Sequence, residues 1–133
     1  MTKKLGAQFE LISRSLIDAC TDPTFGEDRL EPLYIIFLEF LKENENQREH
    51  LIEFIFDAMR KYRTARATKE NLLPGTAIAY AMHELRWPEI LKFAELENRE
   101  FYLTRMSTVM TSIMDAYSDE WEDKFFYVRF RQG

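Results

Sequence analysis

Apolar positions along this chain repeat with a helical period almost throughout. From Leu5, the residues Phe9, Ile12, Leu16, Ile17 and Cys20 recur every three or four positions, and Thr21-Asp22-Pro23 stops the run. This spacing predicts a first helix over about 3–20. A turn at Thr24-Phe25-Gly26-Glu27-Asp28 leads into Leu30 to Leu41, which is apolar on nearly every side and reads as the central helix. Pro32 is expected in its first turn, where a missing N–H loses no hydrogen bond.

Asn44-Glu45-Asn46 breaks the pattern, and Asn46 followed by Glu49 suggests an N-cap for a third helix over about 47–66. Its buried stripe is expected to be Leu51, Ile52, Ile55, Phe56, Met59 and Tyr62. Glu49, Glu53 and Asp57 then fall four apart on the opposite side. Leu73-Pro74-Gly75-Thr76 starts a fourth helix with Ile78, Ala81, Met82 and Leu85 inward. Trp87-Pro88 ends it and opens a fifth, running from Glu89 to about Glu97 with Ile90, Leu91, Phe93 and Ala94 inward. The sixth, Glu100 to Tyr117, carries Tyr102, Leu103, Met106, Val109, Met110, Ile113, Met114 and Tyr117 on one side. Its other side, Thr104, Ser107, Thr108, Thr111 and Ser112, is small and polar and suits close approach of another helix, internal or in a homodimer.

Ser118 caps a possible last helix, whereas the aromatic and β-branched run Phe125 to Phe130 also fits a short strand. Helix is preferred, because no other segment offers a strand for it to pair with. The expectation is an all-α single domain over 1–133, with six or seven helices in antiparallel hairpins and a flexible or strand-like tail at 124–133 as the alternative. A globular bundle and a short stack of hairpins both fit.

Composition restricts the functional classes. The 133 residues are 46% hydrophobic and include 19 aromatics, enough apolar surface for one packed core and too much for a disordered chain. A single cysteine, Cys20, makes no internal disulfide, and neither a signal peptide nor a membrane span is evident, so a cytoplasmic location is expected. The formal net charge of −5 disfavours generic binding to nucleic acid or anionic lipid. That charge is also unevenly spread. Residues 31–57 hold seven acids against Lys42 and Arg48, while 60–69 hold five bases and no acid.

Catalytic and cofactor signatures are missing. The four glycines are isolated, which excludes the glycine-rich phosphate loops, and one Cys with two His serves zinc poorly. Neither histidine has Glu three residues before it, as a di-iron bundle requires. Cys20 lies on an apolar stripe and reads as packing rather than as a nucleophile partnered by His50 or His83. His83, four before Trp87, is expected in a core or capping role. No metal, cofactor or catalytic residue is therefore assigned. As general acids, Glu49, Glu53 and Asp57 are in the wrong, solvated environment. As a phosphate-mimicking surface for a cationic protein they are well suited.

The expected partner-binding set is Glu45, Glu49, Glu53 and Asp57, extended by Asp115, Tyr117, Asp119, Glu120 and Trp121; the two aromatics suit either closure of the core or an anchor beside the charge. The second reading is a regulatory module that contacts nucleic acid through Arg60 to Lys69; the dipole of a helix C-terminus already accounts for much of that basic run.

The stretch from Ala77 through His83-Glu84-Leu85-Arg86-Trp87-Pro88 to Leu91 resembles the helix, Arg-Trp-Pro bend, helix pattern of small bacterial helical-repeat proteins of the HEAT-like kind. Some of these are immunity partners of secreted toxins. The resemblance implies a non-enzymatic inhibitor that occludes a basic toxin domain such as a nuclease, and it brings no catalytic residues with it.

Overall fold

A computed structural model describes residues 2–20, 22, 24, 26–61, 73–100 and 106–131. Among them are seven α-helices and no strand: α1 (Thr2–Cys20), α2 (Glu27–Glu43), α3 (Arg48–Arg60), α4 (Gly75–Leu85), α5 (Pro88–Glu100), α6 (Met106–Asp115) and α7 (Val128–Arg131). Helix α1 packs on α2 and α3, α2 on α4, α3 on α5, and α6 on both α4 and α5. Beyond the pairs α1/α2 and α5/α6, each helix thus meets the one two further along. One row is α1, α3, α5 and the other is α2, α4, α6, which is the contact order of stacked hairpins.

Helix boundaries depart from the sequence pattern where local hydrogen bonds compete. Helix α2 begins at Glu27 after Gly26, so Pro32 sits beyond the first turn, where proline cannot donate the i→i−4 bond. Asn46 is not the cap of α3. It lies within a 3-10 turn, Glu45–Gln47, and Gln47 precedes the helix without a side-chain capping bond. Asn44 instead closes α2, donating from its side chain to the Phe40 carbonyl at 2.8 Å.

The most enclosed helix is α4, not α2. Every residue from Ala77 to Met82 is buried, whereas Ile36 on α2 is 54% exposed. Alanines at 77, 79 and 81 let neighbours approach closely on all sides, and the C-terminal segment covers what α2 and α6 leave open.

That segment is helical, and it is packed into the core. After α6 the chain turns through Ser118, runs through a 3-10 helix (Glu122–Phe126) and enters α7. Tyr127 and Phe130 lie against Tyr80 with ring centroids 4.9 and 4.7 Å apart, and Tyr127 also meets Tyr34 at 5.8 Å. Glu31 on α2, only 5% exposed, fastens the segment. It accepts the Tyr80 hydroxyl at 2.7 Å and the backbone N–H groups of Val128 and Arg129 at 2.8 and 3.1 Å. Burial, followed by the bond to Glu31, pushes the Tyr80 phenol far above the usual tyrosine range.

A second fastening is nearer the surface. Arg129 donates from two nitrogens to Glu84 at 2.8 and 3.1 Å, and Lys42 donates to the same carboxylate at 2.9 Å. The Arg129 bond chiefly holds the Glu84 carboxyl below its ordinary value of 4.5. A carboxyl whose folded pKa is depressed binds fewer protons folded than unfolded, so its contribution is present above the unfolded value and is lost as pH falls through the folded one. Stability is therefore expected to decline as pH drops below 4.5, and Glu84→Gln should flatten part of that decline when denaturation midpoints are compared across pH.

The Arg86-Trp87-Pro88 bend joins α4 to α5. Arg86 takes a left-handed conformation (φ 51°) that costs a non-glycine residue roughly 1–2 kcal/mol. Its bonds hold it there: the backbone N–H reaches the Met82 carbonyl at 2.9 Å, and the guanidinium reaches the His83 carbonyl at 3.1 Å and Asp119 at 2.6 Å. Pro88 opens α5 as its fixed φ favours.

Candidate partner interface

Helix α3 turns its acids outward. Leu51, Ile52, Ile55, Ala58 and Met59 are buried, while Glu45 just before the helix and Glu49, Glu53 and Asp57 along it are exposed. Asp57 accepts a bond from Arg60 at 2.8 Å. No described residue pairs with the carboxylates of Glu45, Glu49 or Glu53. Like charges four apart destabilise a helix by about 0.2–0.5 kcal/mol per pair, so this arrangement works against the isolated fold. Glu53→Gln removes both such pairs of the ladder and is expected to raise the unfolding free energy by about 0.5 kcal/mol in urea titrations. An unchanged or lowered stability would mean the ladder is already compensated.

The second acidic cluster surrounds the turn after α6. Asp115, Asp119, Glu120, Glu122 and Asp123 are all exposed, and an open groove of about 330 Å³ is lined by Ser112, Asp115, Ser118, Glu120, Trp121, Glu122 and Asp123. Ser118 braces the turn by accepting the Glu120 N–H at 3.1 Å. The Arg86 bond holds Asp119 below the usual carboxylate range. Among the described residues, no group of His, Cys, Asp and Glu is arranged to hold a metal ion.

The two clusters are bridged rather than merged. Helices α3 and α6 both pack on α5, and the bend before α5 carries a contact to each. From the α3 side, Arg48 pairs with Glu89 at 2.6 Å and lies 4.9 Å above the Trp87 ring; from the α6 side, Asp119 holds Arg86.

Of the two roles that the sequence leaves to the aromatics, the structure gives both of them packing contacts. Trp121 is 5% exposed, stacked 5.8 Å from Tyr127 and tilted 4.9 Å from His83, so most of its ring is packed within the core. Tyr117 is half-buried, and its hydroxyl donates to the Trp87 carbonyl at 2.7 Å, which braces the bend. Burial pushes that phenol above the ordinary tyrosine range. His83 lies tilted against Trp121, with ring centroids 4.9 Å apart. Its Nδ1 lies 2.7 Å from the Ala116 carbonyl, an acceptor, so Nδ1 carries the proton and the ring ties α4 to the end of α6.

Several sequence expectations fall outside this description. Arg63, Arg66 and Lys69 of the basic run, Tyr62, and Thr104 with Tyr102 and Leu103 lie outside the described residues, as do the side chains of Ser107 and Thr108. Arg60 is described, and it is committed: it pairs with Asp57 and lies 5.3 and 5.9 Å above the Phe93 and Phe56 rings. Cys20 is half-buried with its Sγ 3.9 Å from the Tyr34 hydroxyl, a packed position.

Sequence reading missed an apolar groove beside the acidic ladder. Phe56 of α3 stacks on Phe93 of α5 at 4.4 Å and 15°, and together with Leu96 they line an open groove of about 590 Å³. Its polar margin is Glu89, Lys92, Glu95 and Arg99. The available signal was the excess of apolar positions on α5, where Leu96 lies off the inward stripe of Ile90 and Ala94.

Comparison with known proteins gives no relative: no family model, no curated protein and no solved structure matches this chain. Among the described residues, no helix is long and apolar enough to cross a membrane.

Proposed function

We propose that this protein is a non-enzymatic binding protein that captures a basic protein domain through the acidic outer face of α3. The observation that carries this reading is the row Glu45, Glu49, Glu53, Asp57. Its carboxylates are exposed, are mutually repulsive, and, apart from Asp57, have no cation from the described residues to offset them. Carboxylates at helical spacing present negative charge in the manner of a phosphate backbone, which attracts a surface built to hold phosphates. Such a field accelerates encounter and makes it salt-dependent.

The natural occupant is a toxin of the nuclease type, which makes this chain an immunity protein that covers the toxin's substrate site; no reaction is catalysed. The stacked-hairpin contact order and the resemblance around Arg86-Trp87-Pro88 favour the same reading. The cluster Asp115, Asp119, Glu120 adds further acids at the turn after α6, with Asp119 paired to Arg86. The test is capture of cationic nuclease domains, including the product encoded beside this chain, by wild type and by the triple variant Glu49→Lys, Glu53→Lys, Asp57→Lys. The wild type is expected to bind and to inhibit the nuclease, and the variant to lose both. Equal capture by the two removes the acidic face from the mechanism.

A further inference from the structure

Single apolar residues on a protein surface need no explanation, but several that share one concave place do. Leu96 of α5, 47% exposed, lines the groove floored by the stacked rings of Phe56 and Phe93, whose centroids stand 4.4 Å apart at 15°. Both rings are only half-buried. The groove measures about 590 Å³, within the range of small-molecule sites. With three apolar side chains at one spot, it accommodates one flat apolar body better than the row of anchors that a bound helix inserts.

The charge around this floor differs in sign from the α3 ladder. Phe56 is the contribution of α3 to the lining, and none of the ladder acids belongs to it. Of the charged lining on α5, Glu89 is engaged by Arg48 at 2.6 Å. That leaves Glu95 against Lys92 and Arg99, none of which has an ion-pair partner among the described residues. Lys92 precedes Leu96 by four positions and Arg99 follows it by three, so both cations flank Leu96 on one side of the helix. A third cation lies over the floor: the Arg60 guanidinium is 5.3 Å from the Phe93 centroid and 5.9 Å from that of Phe56. Asp57 engages one of its nitrogens, and a guanidinium has five donors in all. The apolar floor is thus set among cations in excess of the one unpaired acid.

We infer that the Phe56–Phe93–Leu96 groove is a binding site for a small organic anion, an apolar body laid on the two rings with a single carboxylate or sulfonate group paired by Lys92 and Arg99. Burial of the apolar body against the rings and Leu96 supplies affinity, and the cations select the sign of the charge. Glu95 opposes the ligand and limits how tightly it is held. The site goes beyond the acidic-face reading and does not rest on it.

The experiment titrates the full chain with two fluorescent dyes of one ring frame, anilinonaphthalene sulfonate and uncharged phenylnaphthylamine, at low salt. Lys92→Gln with Arg99→Gln is expected to weaken the sulfonate dye about tenfold, one decade in Kd, and to leave the uncharged dye unaffected. Glu95→Gln should tighten the sulfonate dye about twofold. Leu96→Ser should weaken both dyes by at least about threefold, because each loses apolar contact. Amide chemical shifts of the unaltered chain locate the dye without any variant, and the largest changes are expected at Phe56 and from Glu89 to Arg99. Equal weakening of both dyes by the Lys92/Arg99 variant, or of neither, overturns the anion preference. Shift changes confined to another part of the chain overturn the site. Competition identifies the class of occupant. Naphthoate is expected to displace the sulfonate dye, whereas displacement by an acidic leucine–glutamate peptide and not by naphthoate would give the groove to a protein segment and overturn the proposal.

Discussion

Replacing Glu31 by Ala is expected to lower the unfolding free energy by roughly 3 kcal/mol, because each buried donor left without its acceptor costs about 1–3 kcal/mol. Three donors depend on this one side chain: the Tyr80 hydroxyl and the backbone N–H groups of Val128 and Arg129. Glu31→Gln keeps one acceptor oxygen and should cost less than half as much. The measurement is urea denaturation of both variants beside Tyr80→Phe and the Glu31→Gln, Tyr80→Phe double variant. The single costs should fail to add, since the two side chains share one bond. A loss below about 1 kcal/mol for Glu31→Ala would mean that α7 is held by its aromatic contacts alone.

Trp121→Ala carries an effect of similar size for a different reason. The ring is 5% exposed among His83, Tyr127 and Phe130, and truncating a buried Trp costs about 3–5 kcal/mol through lost burial and the cavity left behind. Trp121→Phe refills much of that volume and should cost much less. The pair separates the two roles open to this residue. A core role predicts a large fall in stability on truncation with partner affinity unchanged in the Phe variant. An anchor role predicts little change in stability and a loss of affinity.

These two residues mark where the sequence was readable and where it was not. Helical periodicity is a local property, so α1, α4, the bend at Trp87-Pro88 and the outward ladder on α3 were legible from spacing alone. The fastening by Glu31 was not, because its donors lie 49 to 98 positions away in the chain and a charged residue inside an apolar run reads only as an interruption. The role of Trp121 was left open for the same reason. Its neighbours in sequence are acids, whereas its neighbours in space are the rings of α4 and the C-terminal segment. Depth was also misjudged: α2 carries the longer run of large apolar side chains, yet α4, apolar at every position from Ala77 to Met82, is the more enclosed and is covered by the tail. The acidic surface was legible because exposure of a polar helix face follows from burial of the opposite one. The apolar groove needed the pairing of α3 with α5, a contact between helices that are separated in sequence.

Fold and site meet at α3. Its inner side holds the α1–α3–α5 row together, and its outer side carries Glu49 and Glu53, which no described cation neutralises. The most direct test of that division is the association rate of a cationic nuclease domain with the wild-type chain and with the Glu49→Lys, Glu53→Lys, Asp57→Lys variant as salt is raised. The rate is expected to fall steeply with ionic strength for the wild type, and to be at least about tenfold lower and nearly salt-independent for the variant, as electrostatic steering requires. Equal rates with equal salt dependence would contradict the account.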